Sequence, residues 1–240
     1  MQAALAQSDA TATDADTLAG KSVAMQGLGA LEFILYGTGA DDLATAPQSY
    51  RCAYGAAVAA NLDGMAGEIE LGWQAPDGIA AAWENPGADN ALYRDDSEAL
   101  GELLDVFVNG LELVRDVRLN GFLGQQAADD KPRQALFWRS AQTVPAIGAN
   151  LEAMRALFDA SGLAAALPAA SSWIAESIDF EFGNAAKAAE GPVADVLKTP
   201  MLRGKLDYLR VVTSSLSDLF GKRLAAEFGV TAGFSSLDGD

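Results

Sequence analysis

The stretch DDSEALGELLDVFVNGLELVRDVRLNG, residues 95–121, decides the fold class of this protein. Its large apolar side chains recur every three or four positions, the spacing that places them on one face of an α-helix. Asp95 followed by Glu98 resembles a capping box at the start of this helix, and Gly121 marks its end. The predicted apolar face consists of Leu100, Leu103, Leu104, Phe107, Leu111 and Val114.

Helical spacing extends over the rest of the chain, and the alternating patterns typical of strands are almost missing. We therefore predict an all-α fold of two packed antiparallel helical bundles. Residues 76–95, rich in Pro, Gly, Asn and Asp, are the predicted connection between a bundle at 1–75 and a bundle at 96–240. The other predicted helices cover Thr17–Tyr36, Asp42 or Pro47 to Trp73, Val144–Phe158, the residues after Ser171 and the residues after Thr199.

Two details of the first bundle follow from spacing and residue type. Ala24, Leu28, Leu31 and Leu35 are spaced by four, three and four positions, which predicts a buried stripe on the first helix. Cys52 is the single cysteine, so the chain can form no internal disulfide. Its predicted role is that of a small buried apolar side chain.

The charge balance limits the classes of partner. Asp and Glu total 33 residues against 16 Lys and Arg, which gives a formal net charge of −17. Nucleic acids and anionic membrane surfaces are therefore disfavoured, because both are recognised by clustered basic side chains. The general field of the protein favours cationic ligands, metal ions included.

The chain contains no histidine. This excludes Ser/His/Asp and Cys/His nucleophilic machinery, imidazole acid–base chemistry and every zinc site that needs a histidine ligand. No apolar run is long enough to span a bilayer, and the first twenty residues lack the pattern of a signal peptide. The protein is thus either cytoplasmic or exported by a signal that precedes this sequence.

The segment GLGALEFILYG, Gly27 to Gly37, combines two glycines with a strong helical pattern. Glycine inside a helix costs roughly 1 kcal/mol relative to Ala, so a bare backbone is expected to serve a purpose there. Gly29, Glu32 and Tyr36 share one face and would place a carboxylate and a phenol beside a notch. In the alternative interpretation the glycines only let another helix approach, and Glu32 faces water.

This segment resembles the signature of imelysin-like proteins, which is Gly-x-His-x-x-Glu followed by an aromatic and aliphatic run that ends in Gly. Gly27 and Glu32 match the signature, whereas Gly29 stands where the family has histidine. The C-terminal GFSSLDGD, residues 233–240, is similar to the family's terminal motif. ALFWRS (135–140), ANLEAMRALF (149–158) and DFEFGNA (179–185) look like segments of the family's second bundle.

The resemblance implies a bacterial periplasmic protein or outer-surface lipoprotein whose first bundle is incomplete in this chain. The family is named for a secreted protease and is catalogued among metallopeptidases, yet many members look like periplasmic iron-uptake components. Because Gly29 replaces the signature histidine, we do not expect this protein to be a histidine-dependent peptidase. Three functional classes remain open: a binding protein for iron or another metal, a metallopeptidase, and a binding module for a peptide or small organic ligand.

The candidate ligand-binding residues carry oxygen atoms that suit iron, calcium or magnesium. Glu32 is the predicted metal ligand, with Tyr36 beside it, at the interface of the two bundles. Arg139 is expected either to pair with Glu32 across that interface or to bind an anionic group of a ligand. The second-bundle candidates are Glu176, Asp179 and Glu181, whose alternative interpretation is a solvated acidic face.

Overall fold

A computed structural model describes residues 2–189, 197 and 199–232 of the chain. The described residues form helices and connecting turns and contain no strand, so the predicted all-α bundle fold is confirmed. The chain divides into two compact units, Met1–Glu84 and Asn85–Asp240. This division falls inside the segment 76–95. None of the described helices is long and apolar enough to cross a membrane.

The first unit is organised around one long helix that follows Pro47. Ser49 caps this helix, since its hydroxyl oxygen accepts a hydrogen bond from the amide of Cys52 at 3.3 Å. The described α-helices of the unit are α1 (Gln2–Gln7), α2 (Ala15–Ala19), α3 (Leu28–Tyr36), α4 (Asp42–Thr45), α5 (Tyr50–Gln74) and α6 (Ile79–Glu84). Its buried core consists of Ala4, Ala12, Leu18, Ile34, Tyr54, Ala57 and Val58.

The predicted helix Thr17–Tyr36 is interrupted. Helix α2 ends at Ala19, a short 3-10 turn covers Val23–Met25, and α3 begins only at Leu28. Gly27 caps α3 in an extended conformation, with φ −91° and ψ −177°. The glycine-rich composition of this stretch weakens continuous helix, because glycine loses more conformational freedom in a helix than other residues.

The predicted buried stripe on this segment is wrong. Leu28 and Leu35 are 58% and 45% exposed, whereas Ala30, Phe33 and Ile34 are buried. Ala24 lies outside α3, so the proposed spacing of four, three and four does not run along one continuous helix. Of α3, Ile34 joins the core cluster that includes Tyr54, Ala57 and Val58 of α5, and Leu31 packs against this cluster while partly buried.

The prediction for Cys52 in the first unit needs correction. Cys52 is a free thiol that is only half-buried, because it lies in the first turn of α5 at the margin of the core. The predicted connection at 76–95 contains helix α6. The centre of the Trp83 ring in this helix lies 6.4 Å from the centre of the Trp73 ring at the end of α5. An aromatic contact thus folds the start of this segment back onto the first unit.

The second unit contains the predicted amphipathic helices. Asp95 accepts hydrogen bonds from the amides of Ser97 and Glu98, while Glu98 accepts from the Arg94 amide rather than from Asp95 as a full capping box requires. Thr199 caps the last long helix, as predicted. The described α-helices are α7 (Asp96–Glu112), α8 (Thr143–Ser161), α9 (Leu163–Ala166), α10 (Ser172–Ala188), α11 (Pro200–Asp218) and α12 (Ala225–Phe228).

Stacked phenylalanine rings form the centre of this unit. The rings of Phe107 and Phe220 lie parallel with their centroids 4.2 Å apart, and Phe158 meets both edge-on. Phe182 packs against Phe220 from α10. The four rings come from α7, α8, α10 and the end of α11, so one aromatic cluster joins four helices.

Both α7 and α11 widen at their C-terminal ends. Leu113–Leu119 continues α7 as a π-helical segment, and Leu219–Leu224 does the same after α11. π-Helical turns inside α-helices are rare and occur frequently at functional sites. Both segments also supply core residues, among them Val114 and Phe220.

Substitution of Phe220 by Ala should reduce the free energy of unfolding of the second unit by about 3–5 kcal/mol, because it leaves a cavity where four helices meet. Urea denaturation followed by circular dichroism measures this change. Phe180→Ala is the matched control, because Phe180 is exposed on α10 and its removal should cost less than about 0.5 kcal/mol. Equal losses for the two variants would contradict the assignment of the core.

Candidate functional site

Helix α3 holds the glutamate that the sequence singled out. Glu32 lies in the middle of α3 and is only 8% exposed. Gly29, one turn earlier, is exposed, and a Cβ atom added there would have no other atom within 4 Å. A buried carboxylate thus lies one turn from an open backbone position. The interpretation in which Glu32 simply faces water does not fit this burial.

Tyr36 and Gly37 lie at the C-terminal end of α3. Tyr36 occupies the last turn and is exposed, so its phenol is accessible to a ligand. Gly37 is required by close contact, since a Cβ atom there would lie 2.4 Å from the carbonyl oxygen of Phe33. Any side chain at this position would force the end of α3 to move.

Arg51 fixes the C-terminal end of α3 from the neighbouring helix. Its guanidinium donates hydrogen bonds to the carbonyl oxygens of Phe33 at 3.2 Å, Ile34 at 2.7 Å and Thr38 at 2.5 Å. Arg51 is buried and lies over the Phe33 ring. A cation at this end also complements the partial negative charge of the helix terminus. Arg51 thus holds the last turn of α3, which follows Glu32.

The acidic candidates of the second unit bind different neighbours. Asp179 pairs with Arg155 of α8, whereas Glu181 accepts a hydrogen bond from the hydroxyl of Ser215 in α11 at 2.9 Å. Glu176 is exposed on the same helix. Among the described residues, no three Asp, Glu or Cys side chains are grouped so as to hold a metal ion. The structure thus does not bring these three residues together as a ligand set.

Arg139 lies in a tight turn between Leu136 and Ala141. Its guanidinium carbon is 4.4 Å from the centre of the Trp138 ring, which is a cation–π contact. Phe137 and Ala141 both have positive φ values, 60° and 61°, so this turn is backbone-strained on either side of Arg139. Pairing of Arg139 with Glu32, or with a ligand, stays a prediction.

A buried ion pair anchors the segment that leads to Arg139. Arg203 of α11 donates two hydrogen bonds to the Asp130 carboxylate, at 2.8 and 3.0 Å, and the Asp130 side chain is only 6% exposed. The amide of Gly124 donates to the same carboxylate at 2.9 Å. Burial opposes ionisation of Asp130, but these hydrogen bonds outweigh it and lower its pKa below the ordinary carboxyl value.

A second arginine completes this anchor. Arg210, two turns after Arg203, donates to the carbonyl oxygens of Leu123 at 2.6 Å and Gly124 at 3.2 Å. Asp207 lies between the two arginines on α11 and accepts from both. The contacts of Arg203 with Asp130 and of Arg210 with Gly124 join residues more than seventy positions apart. The helical periodicity of the sequence therefore could not predict them.

The described residues also line a groove of about 610 Å³ between α8 and α10. Small side chains such as Gly148, Ala149 and Ala186 form much of its surface, together with Arg155 and Asp159. None of the residues predicted from the sequence to bind a ligand lines this groove. It is a gap between two helices rather than a site with convergent polar groups.

Comparison with protein families matches the part of the chain that contains the signature segment and the three second-bundle segments. The family model described as Imelysin, Peptidase_M75, matches residues 1–208. The chain belongs to the imelysin family. Comparison with curated proteins and with solved structures gave no match. The matched range includes the signature segment of α3, the Arg139 turn and the first half of α11.

This imelysin departs from its family at a position that matters chemically. Gly29 stands in place of the signature histidine, and the chain has no other histidine that could substitute for it. The similarity of GFSSLDGD to the family's terminal motif concerns residues 233–240, which lie outside both the matched range and the described residues. Glu32 is therefore the signature's acidic group without its usual imidazole neighbour.

Substitution of Arg51 by Gln should loosen the C-terminal end of α3, because three buried carbonyl oxygens would lose a charged donor. We expect the first unit to lose about 2 kcal/mol or more and amide exchange at residues 33–38 to accelerate. Hydrogen–deuterium exchange followed by mass spectrometry measures the local effect. Arg94→Gln is the control, since Arg94 is exposed, and exchange in α3 should not change.

Substitution of Asp130 by Asn tests the buried ion pair. Because the folded pKa of Asp130 is lowered, its ionised form stabilises the protein above the ordinary carboxyl pKa, and this contribution is lost as pH falls through the folded pKa. The variant should lose about 3 kcal/mol at pH 7, and the difference from wild type should shrink below about pH 4.

Urea denaturation at pH 7, 5 and 3 measures this dependence. Asp159→Asn is the matched control, because Asp159 is exposed on α8 and should change stability little at any pH. A loss for Asp130→Asn that stays constant from pH 7 to pH 3 would show that the ionised carboxylate is not what stabilises the segment.

Proposed function

We propose that this imelysin is a periplasmic or outer-surface binding protein that does not hydrolyse peptides. Its proposed ligand is a metal ion, iron in the first place, and its proposed context is iron uptake. The observation that supports a binding role is the buried carboxylate of Glu32, which lies one helical turn from the bare backbone of Gly29. The excess of acidic residues favours a cationic ligand through the general field.

The side chains near Glu32 limit what kind of metal complex would fit. Glu32 offers one buried carboxylate and Tyr36 an exposed phenol, which are hard oxygen ligands suited to ferric iron. The described residues contain no group of three acidic or sulfur ligands that would form a closed coordination shell. The proposed ligand is therefore an iron complex that brings part of its own shell, such as ferric citrate.

The absence of histidine supports binding rather than peptide hydrolysis. A metallopeptidase needs a metal held by several protein ligands and a group that activates water, commonly histidine and glutamate together. With Gly29 in the signature, Glu32 lacks the imidazole partner that would complete this arrangement. Glu32 alone can bind a cation but supplies neither the metal ligand set nor the paired acid and base.

One observation favours a second candidate function, the binding of an anionic peptide end or a small organic acid. Arg139 presents its guanidinium on the face of Trp138, in a turn whose Leu136 carbonyl oxygen accepts a hydrogen bond from the Thr143 hydroxyl. A guanidinium held in this way is suited to bidentate binding of a carboxylate. This candidate does not require a metal ion.

Calorimetric titration of the metal-free protein tests the proposed function. The probes are ferric citrate, ferrous iron, zinc and calcium, each added to wild type, Glu32→Gln and Glu68→Gln. We expect saturable binding of an iron form that weakens at least about tenfold in Glu32→Gln, because a charged ligand oxygen is lost. Glu68→Gln, an exposed carboxylate of α5, should bind as wild type does.

A fluorescent casein assay in the presence of the same ions addresses the enzymatic alternative. We expect no cleavage above the level of a heat-denatured sample. Absence of binding by every ion would refute the metal-binding proposal and leave the Arg139 candidate, while casein cleavage that depends on Glu32 would refute the non-hydrolytic role.

A further inference from the structure

A cavity of about 300 Å³ opens between α7 and α11 in the second unit, and none of the residues that the sequence predicted to bind a ligand lines it. This volume suits a small organic molecule. Most of its lining is polar or charged rather than apolar. The lining residues are Val108, Glu112, Arg115, Ser214, Ser217, Asp218, Gly221, Lys222 and Ala232.

The two π-helical segments begin at this cavity. Glu112 is the last residue of α7 before the segment Leu113–Leu119, and Asp218 is the last residue of α11 before Leu219–Leu224. Gly221 allows the second segment to approach α7, since a Cβ atom there would lie 3.2 Å from the Val108 side chain. Two neighbouring helices thus depart from regular geometry at the same place, a feature typical of ligand sites.

Glu112 has a buried oxygen that no hydrogen bond satisfies. Its Oε2 atom has no hydrogen-bond partner within the described part of the chain, although the whole side chain is only 18% exposed. Its Oε1 atom lies 3.9 Å from the guanidinium of Arg115, which is beyond hydrogen-bonding distance. Burial of a carboxylate oxygen without a donor costs free energy, so a ligand that donates a hydrogen bond to this oxygen would be stabilised.

The positive side chains of the cavity are already engaged. Arg115 donates two hydrogen bonds to Asp116, at 2.9 and 2.6 Å, and Lys222 pairs with Asp218 at 2.6 Å. Arg115 also forms a longer ion pair with Glu112, at 3.9 Å. The acidic groups Glu112, Asp116 and Asp218 outnumber the basic groups Arg115 and Lys222 by one, so this group of side chains carries one negative charge in excess. The cavity therefore favours a ligand with a single positive charge.

The serine hydroxyls indicate how that charge would be recognised. Ser214 donates its hydroxyl hydrogen to the carbonyl oxygen of Arg210 at 2.9 Å, so the hydroxyl oxygen remains an acceptor. Ser217 brings a second hydroxyl to the same cavity. With Glu112, the cavity offers three acceptor groups, and a primary ammonium group has three N–H donors.

We propose that this cavity binds the ammonium group of a small primary amine, with Glu112 as its counter-ion and Ser214 and Ser217 as further acceptors. Residues 233–240, which follow Ala232 in the chain, contain no Lys or Arg and cannot supply this cation. The site is separate from α3 and does not depend on the metal-binding proposal.

Titration with n-butylamine at pH 7, followed by amide chemical shifts in two-dimensional NMR, tests this site. The shifts should saturate and include Gly221, Ser217 and Glu112. We expect the dissociation constant to rise at least about tenfold in Glu112→Gln, because a charge-assisted hydrogen bond is lost, and by a smaller factor in Ser217→Ala. Glu102→Gln, an exposed carboxylate on the same helix, should bind as wild type does.

Tetramethylammonium is the matched ligand control, since it carries the same charge without N–H donors. It should bind at least about tenfold more weakly than n-butylamine if hydrogen bonds to Glu112 and the serines select the ligand. Equal affinity for the two cations would mean that only the negative field of the protein attracts them, and it would overturn the proposal. Failure of n-butylamine to saturate, or equal affinity in Glu112→Gln, would also overturn it.

Thermal denaturation without ligand provides an independent readout of Glu112. The Glu112→Gln variant should have a higher Tm than wild type, because it removes a buried negative charge that lacks a hydrogen-bond donor. Addition of n-butylamine should raise the Tm of wild type and leave that of the variant unchanged. A lower Tm for the variant together with an unchanged response to n-butylamine would assign Glu112 a purely structural role and refute the site.

Discussion

Buried guanidinium groups that donate to backbone carbonyl oxygens hold the irregular segments of both units in place. In the first unit Arg51 fixes the end of α3, and in the second unit Arg203 and Arg210 fix the segment around Gly124. A guanidinium suits this task because it offers five N–H donors and stays protonated at every physiological pH. The regular helices depend on apolar packing, whereas the C-terminal end of α3 and the segment 123–130 are held by these arginines.

The contrast between helices held by apolar packing and segments held by arginines explains how much of the fold could be predicted. The prediction of amphipathic helices in the second unit was correct. In α7, for example, Leu104, Phe107 and Leu111 repeat at helical spacing, and all three are fully buried. The break between α2 and α3 was missed, because apolar spacing alone does not reveal where glycine ends a helix. Leu28 and Leu35 were misplaced for a related reason, since the buried face of a short helix is set by its neighbour α5.

The candidate sites were predictable to different degrees. Glu32 and Gly29 were predicted as site residues from a local motif, and Glu32 is buried in the structure. The Asp130–Arg203 pair and the cavity at Glu112 were not predicted, because their members are far apart in sequence and look like ordinary surface charges of a helix. A carboxylate without a donor is recognised only once the surrounding atoms are known.

The use of basic residues for internal contacts has a consequence for the outer surface of the first unit. Residues 1–84 contain eleven acidic and only two basic side chains, and both basic ones are engaged, Arg51 with carbonyl oxygens and Lys21 with Asp9. The first unit therefore has nine more acidic than basic side chains, and its net field attracts a cation. A cation's rate of encounter with this unit is accelerated at low ionic strength and falls as salt screens the field.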